Sequence, residues 1–119
     1  MSDQINDCLF CKIVRGKIPC QKVYEDELIL AFNDISHAAP VHFLIIPKQH
    51  IASLYESAQH PTILGLMLAK AGNLAQEQGL HEGFRSIINT GRIGGQEVYH
   101  LHLHVLGGPQ PLGPMINRR

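Results

Sequence analysis

Three histidines alternate with aliphatic residues in His100-Leu101-His102-Leu103-His104-Val105, and Gly107-Gly108 follows closely. Side chains at i, i+2 and i+4 share one face of a β-strand. The spacing therefore predicts a row of three imidazoles, with Leu101, Leu103 and Val105 turned into a core. At a rise of about 3.3 Å per residue, neighbours on that face start roughly 6.6 Å apart. One substrate group, or one metal, can engage more than one ring at that separation. Imidazole titrates near pH 6.5 or so, and at neutral pH one ring can attack while another donates a proton. The two glycines allow the backbone to turn sharply or to approach a ligand.

A neutral imidazole attacking phosphorus forms a phospho-histidine, which splits one difficult displacement into two easier ones. The segment from Asn89 to Glu97 leads directly into the histidines and contains Gly94-Gly95. Such a pair can present backbone N–H groups to an anion, as a phosphate-binding nest does. The Gly-Lys-Ser/Thr ending of a P-loop is missing. Metal binding competes for the same residues. Histidines in a His-x-His pattern suit zinc, and Cys8-x-x-Cys11 is half of a structural zinc site, with His50 and His100 available to close it. The same cysteine pair also reads as two thiols on a short helix. Cys20, after Pro19, stands outside this pattern as a structural thiol.

The elements that must position these groups follow from periodicity and punctuation. Residues 8–15 place Leu9, Phe10 and Ile13 at near-helical spacing, and Gly16 ends a helix of about two turns. Strands are expected at 21–25, 28–33 and 42–46, with a turn at Glu25-Asp26-Glu27, a loop from Asp34 to Pro40 and Pro47 as a stop. From Ser57 to Gln78 the period becomes helical. Ile63, Leu66, Met67, Ala71, Leu74 and Ala75 form one stripe, with His60-Pro61 at its start and Gly79 at its end. Residues 85–89 and 100–106 read as a fourth and a fifth strand, and 109–119 as an irregular tail with three prolines. Five strands with one long and one short helix indicate an α+β domain with a largely antiparallel sheet.

Composition bounds the function classes. A chain of 119 residues is read as one domain, 1–119. Ten basic and ten acidic side chains cancel, so no strong field favours nucleic acid or an anionic membrane. No apolar run reaches the ~20 residues of a membrane span. Met1-Ser2-Asp3-Gln4 lacks the character of a signal peptide. Three cysteines without such a signal fit reduced thiols or a metal site, and a cytoplasmic location is expected.

The histidine segment resembles the His-φ-His-φ-His-φ-φ signature of the histidine triad superfamily, where φ is apolar. The resemblance extends to Phe10-Cys-Lys-Ile-Val-Arg-Gly-Lys-Ile-Pro19, Ala31-Phe-Asn-Asp34-Ile35-Ser, Ala39-Pro-Val-His42-Phe-Leu-Ile-Ile-Pro47-Lys and Gly94-Gly-Gln-Glu-Val-Tyr-His100. These segments are similar to the Hint branch, the purine nucleoside phosphoramidases. The resemblance implies five antiparallel strands, joined across a homodimer into a ten-stranded sheet. It implies binding of a purine nucleoside monophosphate and hydrolysis of the P–N bond of adenosine 5′-phosphoramidates. His102 would be the nucleophile, His104 would handle the proton and the phosphate, His100 would orient His102, and His42 would extend the hydrogen-bond chain. Asn89, Gly95, Gln96, Glu97 and Val98 would flank the phosphate, the last two partly through backbone. Asp34 would bind the ribose hydroxyls, and Leu9, Phe10, Ile13, Ile18, Phe32 and Ile35 would line the base pocket. No cofactor is required for this chemistry.

The chain departs from the family pattern in two places. Glu97 stands where many members carry serine, and a carboxylate beside a phosphate is repulsive unless it points away or is protonated. Cys8 and Cys11 resemble zinc-carrying members, in which Lys48-Gln-His50 and the first triad histidine complete the site. His100 would then be a zinc ligand whose free ring nitrogen fixes the tautomer of its neighbour. Two other readings stay beside phosphoramidate hydrolysis: a nucleotide-binding regulatory protein with incidental turnover, and a dinucleoside polyphosphate hydrolase.

Overall fold

The computed structural model describes residues 7–116. The N-terminal Met1–Gln4, read above as lacking a signal sequence, and the last three residues of the tail lie outside that range. A short helix α1 (Leu9–Val14) is followed by strands β1 (Lys22–Glu25), β2 (Ile29–Asn33) and β3 (Val41–Pro47). A 3₁₀ turn (Leu54–Gln59) and the long helix α2 (Pro61–Glu77) lead to β4 (Arg85–Ile87) and β5 (Leu103–Gly107). The strands form one antiparallel sheet in the order β1-β2-β3-β5-β4.

Each strand alternates its residues between two faces, and both faces of this sheet are covered. Ile29, Ala31, Phe43, Ile45, Leu103 and Val105 pack with Met67, Ala71, Leu74 and Ala75 of α2. On the opposite face Leu30, Phe32, Leu44 and Ile46 meet Phe10, Cys11 and Ile13 of α1. Burial on both sides explains why β2 and β3 read as continuous apolar runs. The register aligns Phe32, Leu44 and His104 side by side on the α1 face. His42, two residues before Leu44, shares that face.

Several expected boundaries shift for local reasons. The helical period begins at Ser57 in sequence, but α2 starts only at Pro61. A residue before proline is disfavoured in the α region, and His60 accordingly sits at φ −135°, ψ 49°. The preceding turn is the separate 3₁₀ segment, capped by the Ser53 hydroxyl, which accepts the Tyr55 N–H. The β1–β2 turn works without glycine because Asp26 Oδ1 accepts the N–H groups of Leu28 and Ile29. The tail is irregular over its described part, and the Arg85 guanidinium donates to the Gly113 carbonyl.

The histidine strand is the main correction. β5 begins at Leu103, so His100 and His102 precede the ladder. The chain bends over 98–100, and the Leu101 N–H donates to the Ile51 carbonyl at 2.6 Å instead of to a neighbouring strand. The alternation is kept, but the expected row of three equivalent rings is not formed. Gly107 and Gly108 serve packing rather than ligand approach. A Cβ on Gly107 would lie 2.7 Å from Leu80 Cδ2, and one on Gly108 2.9 Å from Pro40 Cγ.

Candidate active site

A cleft of about 1150 Å³ opens on the α1 face of the sheet. Leu9, Phe10 and Ile13 of α1, Ile18 and Phe32 form its apolar end, where Phe10 and Phe32 meet edge to face at 5.6 Å. Asp34, Ile35, His42, Asn89, Gly95, Glu97, Val98, His102 and His104 also line it. The cleft thus brings together nearly every residue expected there from sequence. Asp34 and Glu97 are the only carboxylates among the described lining residues, and no Lys or Arg is among them.

Two expected residues stand elsewhere. His100 is fully buried behind the cleft, at 0% exposure. The Gln96 amide is consumed within the protein: its oxygen accepts the Gly91 N–H at 2.9 Å, and its nitrogen donates to the carbonyls of Ala52 and Val98. Gln96 therefore ties the 90–98 loop to the segment before the 3₁₀ turn. The glycine nest is also not formed as expected. The Gly94 N–H donates to Thr90 O and the Gly95 N–H to Arg92 O, each at 3.2 Å, so both point into the loop. Gly94 is needed for that turn, because a Cβ there would sit 2.4 Å from the Thr90 carbonyl oxygen. The N–H groups of Glu97 and Val98, by contrast, have no backbone acceptor among the described residues.

The rings on the cleft are held in defined tautomers by backbone groups. The Ala38 N–H donates to His42 Nδ1 at 2.9 Å, so His42 carries its own proton on Nε2. His42 Nε2 lies 2.9 Å from His104 Nδ1 and donates to it. Neutral His104 must then carry its proton on Nε2. His102 is set the opposite way: its Nδ1–H donates to the His100 carbonyl at 2.8 Å, leaving a lone pair on Nε2. The resemblance implied that the His100 ring would orient His102, but the main-chain oxygen of His100 does so. The rings of His102 and His104 lie 5.0 Å apart, centre to centre.

Burial is the first cause of every shifted histidine here, and it disfavours the charged form. His104 is pushed down to about 4, with His102 and His42 adding to the effect. His42 is also lowered by burial, against the opposing pull of Asp34. Asp34 places Oδ2 3.5 Å from His42 Nε2, while its Oδ1 accepts the Ser36 N–H at 2.9 Å. One carboxylate thus both caps the loop and faces the histidine pair. Asp34, His42 and His104 lie close enough to share a metal. The Ala38 bond argues for a hydrogen-bond chain instead, because it leaves His42 Nε2 protonated and without a lone pair to offer.

A second cluster lies behind His102. Ligand atoms of Cys8, Cys11, His50 and His100 all fall within 4.8 Å of one another. His100 Nδ1 is 3.2 Å from Cys8 Sγ and 3.6 Å from Cys11 Sγ, and His50 Nδ1 is 3.3 Å from Cys11 Sγ. Tetrahedral zinc with ordinary Zn–S and Zn–N bonds sets sulfur and nitrogen about 3.6 Å apart, so the donor set fits that ion. The His100 Nε2–H donates to the Pro47 carbonyl at 2.8 Å, which turns the Nδ1 lone pair toward the thiols. Burial and the neighbouring Cys8 push the Cys11 thiol up to about 11, so coordination would release protons.

Sequence reasoning missed Ser36 and His37 on the cleft rim, and also Asn33 and Gln78. These are polar loop and helix-end positions with no periodic signal. The tautomers make a direct prediction. Long-range ¹H–¹⁵N spectra at neutral pH should show His42 and His104 as Nε2–H and His102 as Nδ1–H; a Nδ1–H signal from His104 would refute the proposed chain.

The family model described as "Scavenger mRNA decapping enzyme C-term binding" matches residues 7–118. An uncharacterized HIT-like protein of Synechococcus elongatus is 54% identical over 103 residues, covering 86% of this chain and 90% of its own. The purine nucleoside phosphoramidase of Escherichia coli K12 is 50% identical over 112 residues, covering 92% and 93%. The crystal structure of a HIT family hydrolase from Legionella pneumophila superposes with a TM-score of 0.83 at 52% identity, covering 87% and 95%. With a matched span this long and identities near one half, the chain belongs to the histidine triad (HIT) family.

Proposed function

We propose that this protein is a purine nucleoside phosphoramidate hydrolase that works through a nucleotidyl-histidine intermediate on His102. The observation that carries this reading is the paired tautomers: a free Nε2 on His102 beside a protonated Nε2 on His104. That is the arrangement of a nucleophile next to a proton donor. The phosphoramidase named in Escherichia coli, half identical over most of both chains, supports the same chemistry.

The apolar end with Phe10, Phe32, Ile13 and Ile18 suits a purine, and Asp34 Oδ2 is placed for a ribose hydroxyl. The phosphorus lies over His102, with the N–H groups of Glu97 and Val98 as donors to its oxygens. His102 Nε2 attacks phosphorus as the P–N bond breaks. The amine leaves with a proton from the His42–His104 pair. In the empty cleft that pair is neutral, because burial holds His104 near 4. His104 Nε2 gives that proton and regains it in the second step, while Asp34 faces the His42 Nε2–H that holds His104 in this tautomer. Water then attacks phosphorus, gives a proton back to the pair, and releases the nucleoside monophosphate from His102. The described lining, without Lys or Arg, offers nothing permanent to balance several phosphate charges, which favours phosphoramidates over dinucleoside polyphosphates.

In this reading Cys8, Cys11, His50 and His100 hold a structural zinc. Zinc held there would cross-link α1 to the segments that carry His50 and His100. These residues keep α1, with its Phe10 and Ile13, in place, and the His100 backbone positions His102. Two thiolate ligands fit a reducing compartment, the cytoplasm. A homodimer is also part of the reading. β4 is an edge strand of three residues, paired on one side only among the described residues, and such an edge invites a second copy.

Three outcomes follow. His102→Ala should lower turnover of adenosine 5′-phosphoramidate by more than about a thousandfold, and acid quenching should trap labelled nucleotide on the wild type only. Activity that survives the change would remove His102 from the nucleophile role. Metal analysis should find one zinc per chain in the wild type and in His102→Ala, and none in Cys8→Ser/Cys11→Ser. Equal zinc in all three would exclude the cluster. Light scattering should give twice the 13.2 kDa chain mass; a monomer would rule out pairing along β4.

A further inference from the structure

The charge of the cleft says something about the leaving group. A nucleotide-binding cleft commonly carries Lys or Arg for its phosphates. Here the described lining holds two carboxylates and no permanent cation. The two carboxylates stand at different places. Asp34 faces His42, and His42 leads to His104 and then His102. Glu97 is carried by the loop that runs into His102 and lines the same cleft.

Glu97 is also unspent. Its side chain is exposed at the cleft, and it forms no ion pair among the described residues. Asn89, its neighbour on the lining, turns its amide nitrogen to the Gly94 carbonyl at 2.8 Å and so offers no compensating charge. The cleft, at about 1150 Å³, exceeds the upper end of ordinary ligand pockets, about 1000 Å³. Room therefore remains beyond a nucleoside monophosphate for a sizeable amine.

We infer that Glu97 is a specificity residue for the leaving amine: the cleft favours phosphoramidates whose amine bears a second, cationic group and disfavours those whose amine bears a carboxylate. The inference rests on the phosphoramidase reading above. One negative charge at phosphorus is met by neutral donors, and Glu97 repels any further negative charge while attracting a positive one. The carboxylate acts through space on the far end of the leaving group and takes no part in proton transfer. Because Glu97 is exposed, the effect is moderate and screened by salt.

The test uses three adenosine 5′-phosphoramidates with leaving amines of equal length: 1,4-diaminobutane, butylamine and 4-aminobutyrate. At low ionic strength kcat/KM should fall in that order, by about fivefold from first to last. Half-molar salt should compress the series, and Glu97→Gln should bring the three values within about twofold of one another while circular dichroism shows the fold retained. A wild type that cleaves all three equally, or a Glu97→Gln variant that keeps the original ratio, would overturn charge selection and leave the phosphoramidase reading standing. Failure to cleave any of the three would overturn both.

Discussion

The hydrogen bond from the Ala38 N–H to His42 Nδ1 governs the chemistry of this cleft. A main-chain N–H has one proton and cannot change roles, whereas a neutral imidazole can exist in two tautomers. Once Ala38 occupies Nδ1, the His42 proton must sit on Nε2, and His104 must accept at Nδ1 and present its own proton from Nε2. The His100 carbonyl imposes the opposite choice on His102. Two neighbouring rings thereby differ at Nε2, protonated on His104 and bare on His102, without any difference in residue type.

This arrangement depends on loops held by the rest of the fold. The 34–40 segment is anchored by the Asp34 N–H on the His42 carbonyl and by the Ser36 N–H on Asp34 Oδ1. That fixes where the Ala38 N–H points. The 90–98 loop is clamped by the buried Gln96 amide and by Asn89. These contacts turn the Gly94 and Gly95 N–H groups into the loop and away from the cleft's polar end, leaving the N–H groups of Glu97 and Val98 without a backbone acceptor among the described residues. On the other side α1 is only six residues long, too short to be stable alone. Its buried Phe10, Cys11 and Ile13 hold it to the sheet, and the cysteine–histidine cluster joins it to the segment carrying His100. The wall of the cleft and the orientation of His102 thus share one support.

Low charge and high burial work together in this site. Burial disfavours the charged forms of His42 and His104, and the described lining holds no Lys or Arg. The carboxylates then act by position: Asp34 beside His42, Glu97 at the end of the loop before the histidines.

Much of this was legible in the sequence because it rests on local pattern. The apolar runs of β2 and β3, the alternation leading into β5, the helical stripe of α2 and the Pro61 and Gly79 boundaries depend on neighbours a few residues apart. The histidine segment and its companion motifs identified the family and most of the cleft lining, including Asp34, Phe10 and Glu97. What the sequence could not supply was which partner each polar group meets. His100, His102 and His104 are identical in type and spacing, yet one is buried against thiols about ninety residues away in sequence and two face the cleft. The Gln96 amide, expected to flank a phosphate, takes partners within the protein and braces the 90–98 loop, and Gly107 and Gly108 accommodate Leu80 and Pro40. Those distinctions arise from hydrogen bonds and close packing between distant segments. Only the folded chain brings these segments together, and a buried polar group takes the partner that the fold presents to it.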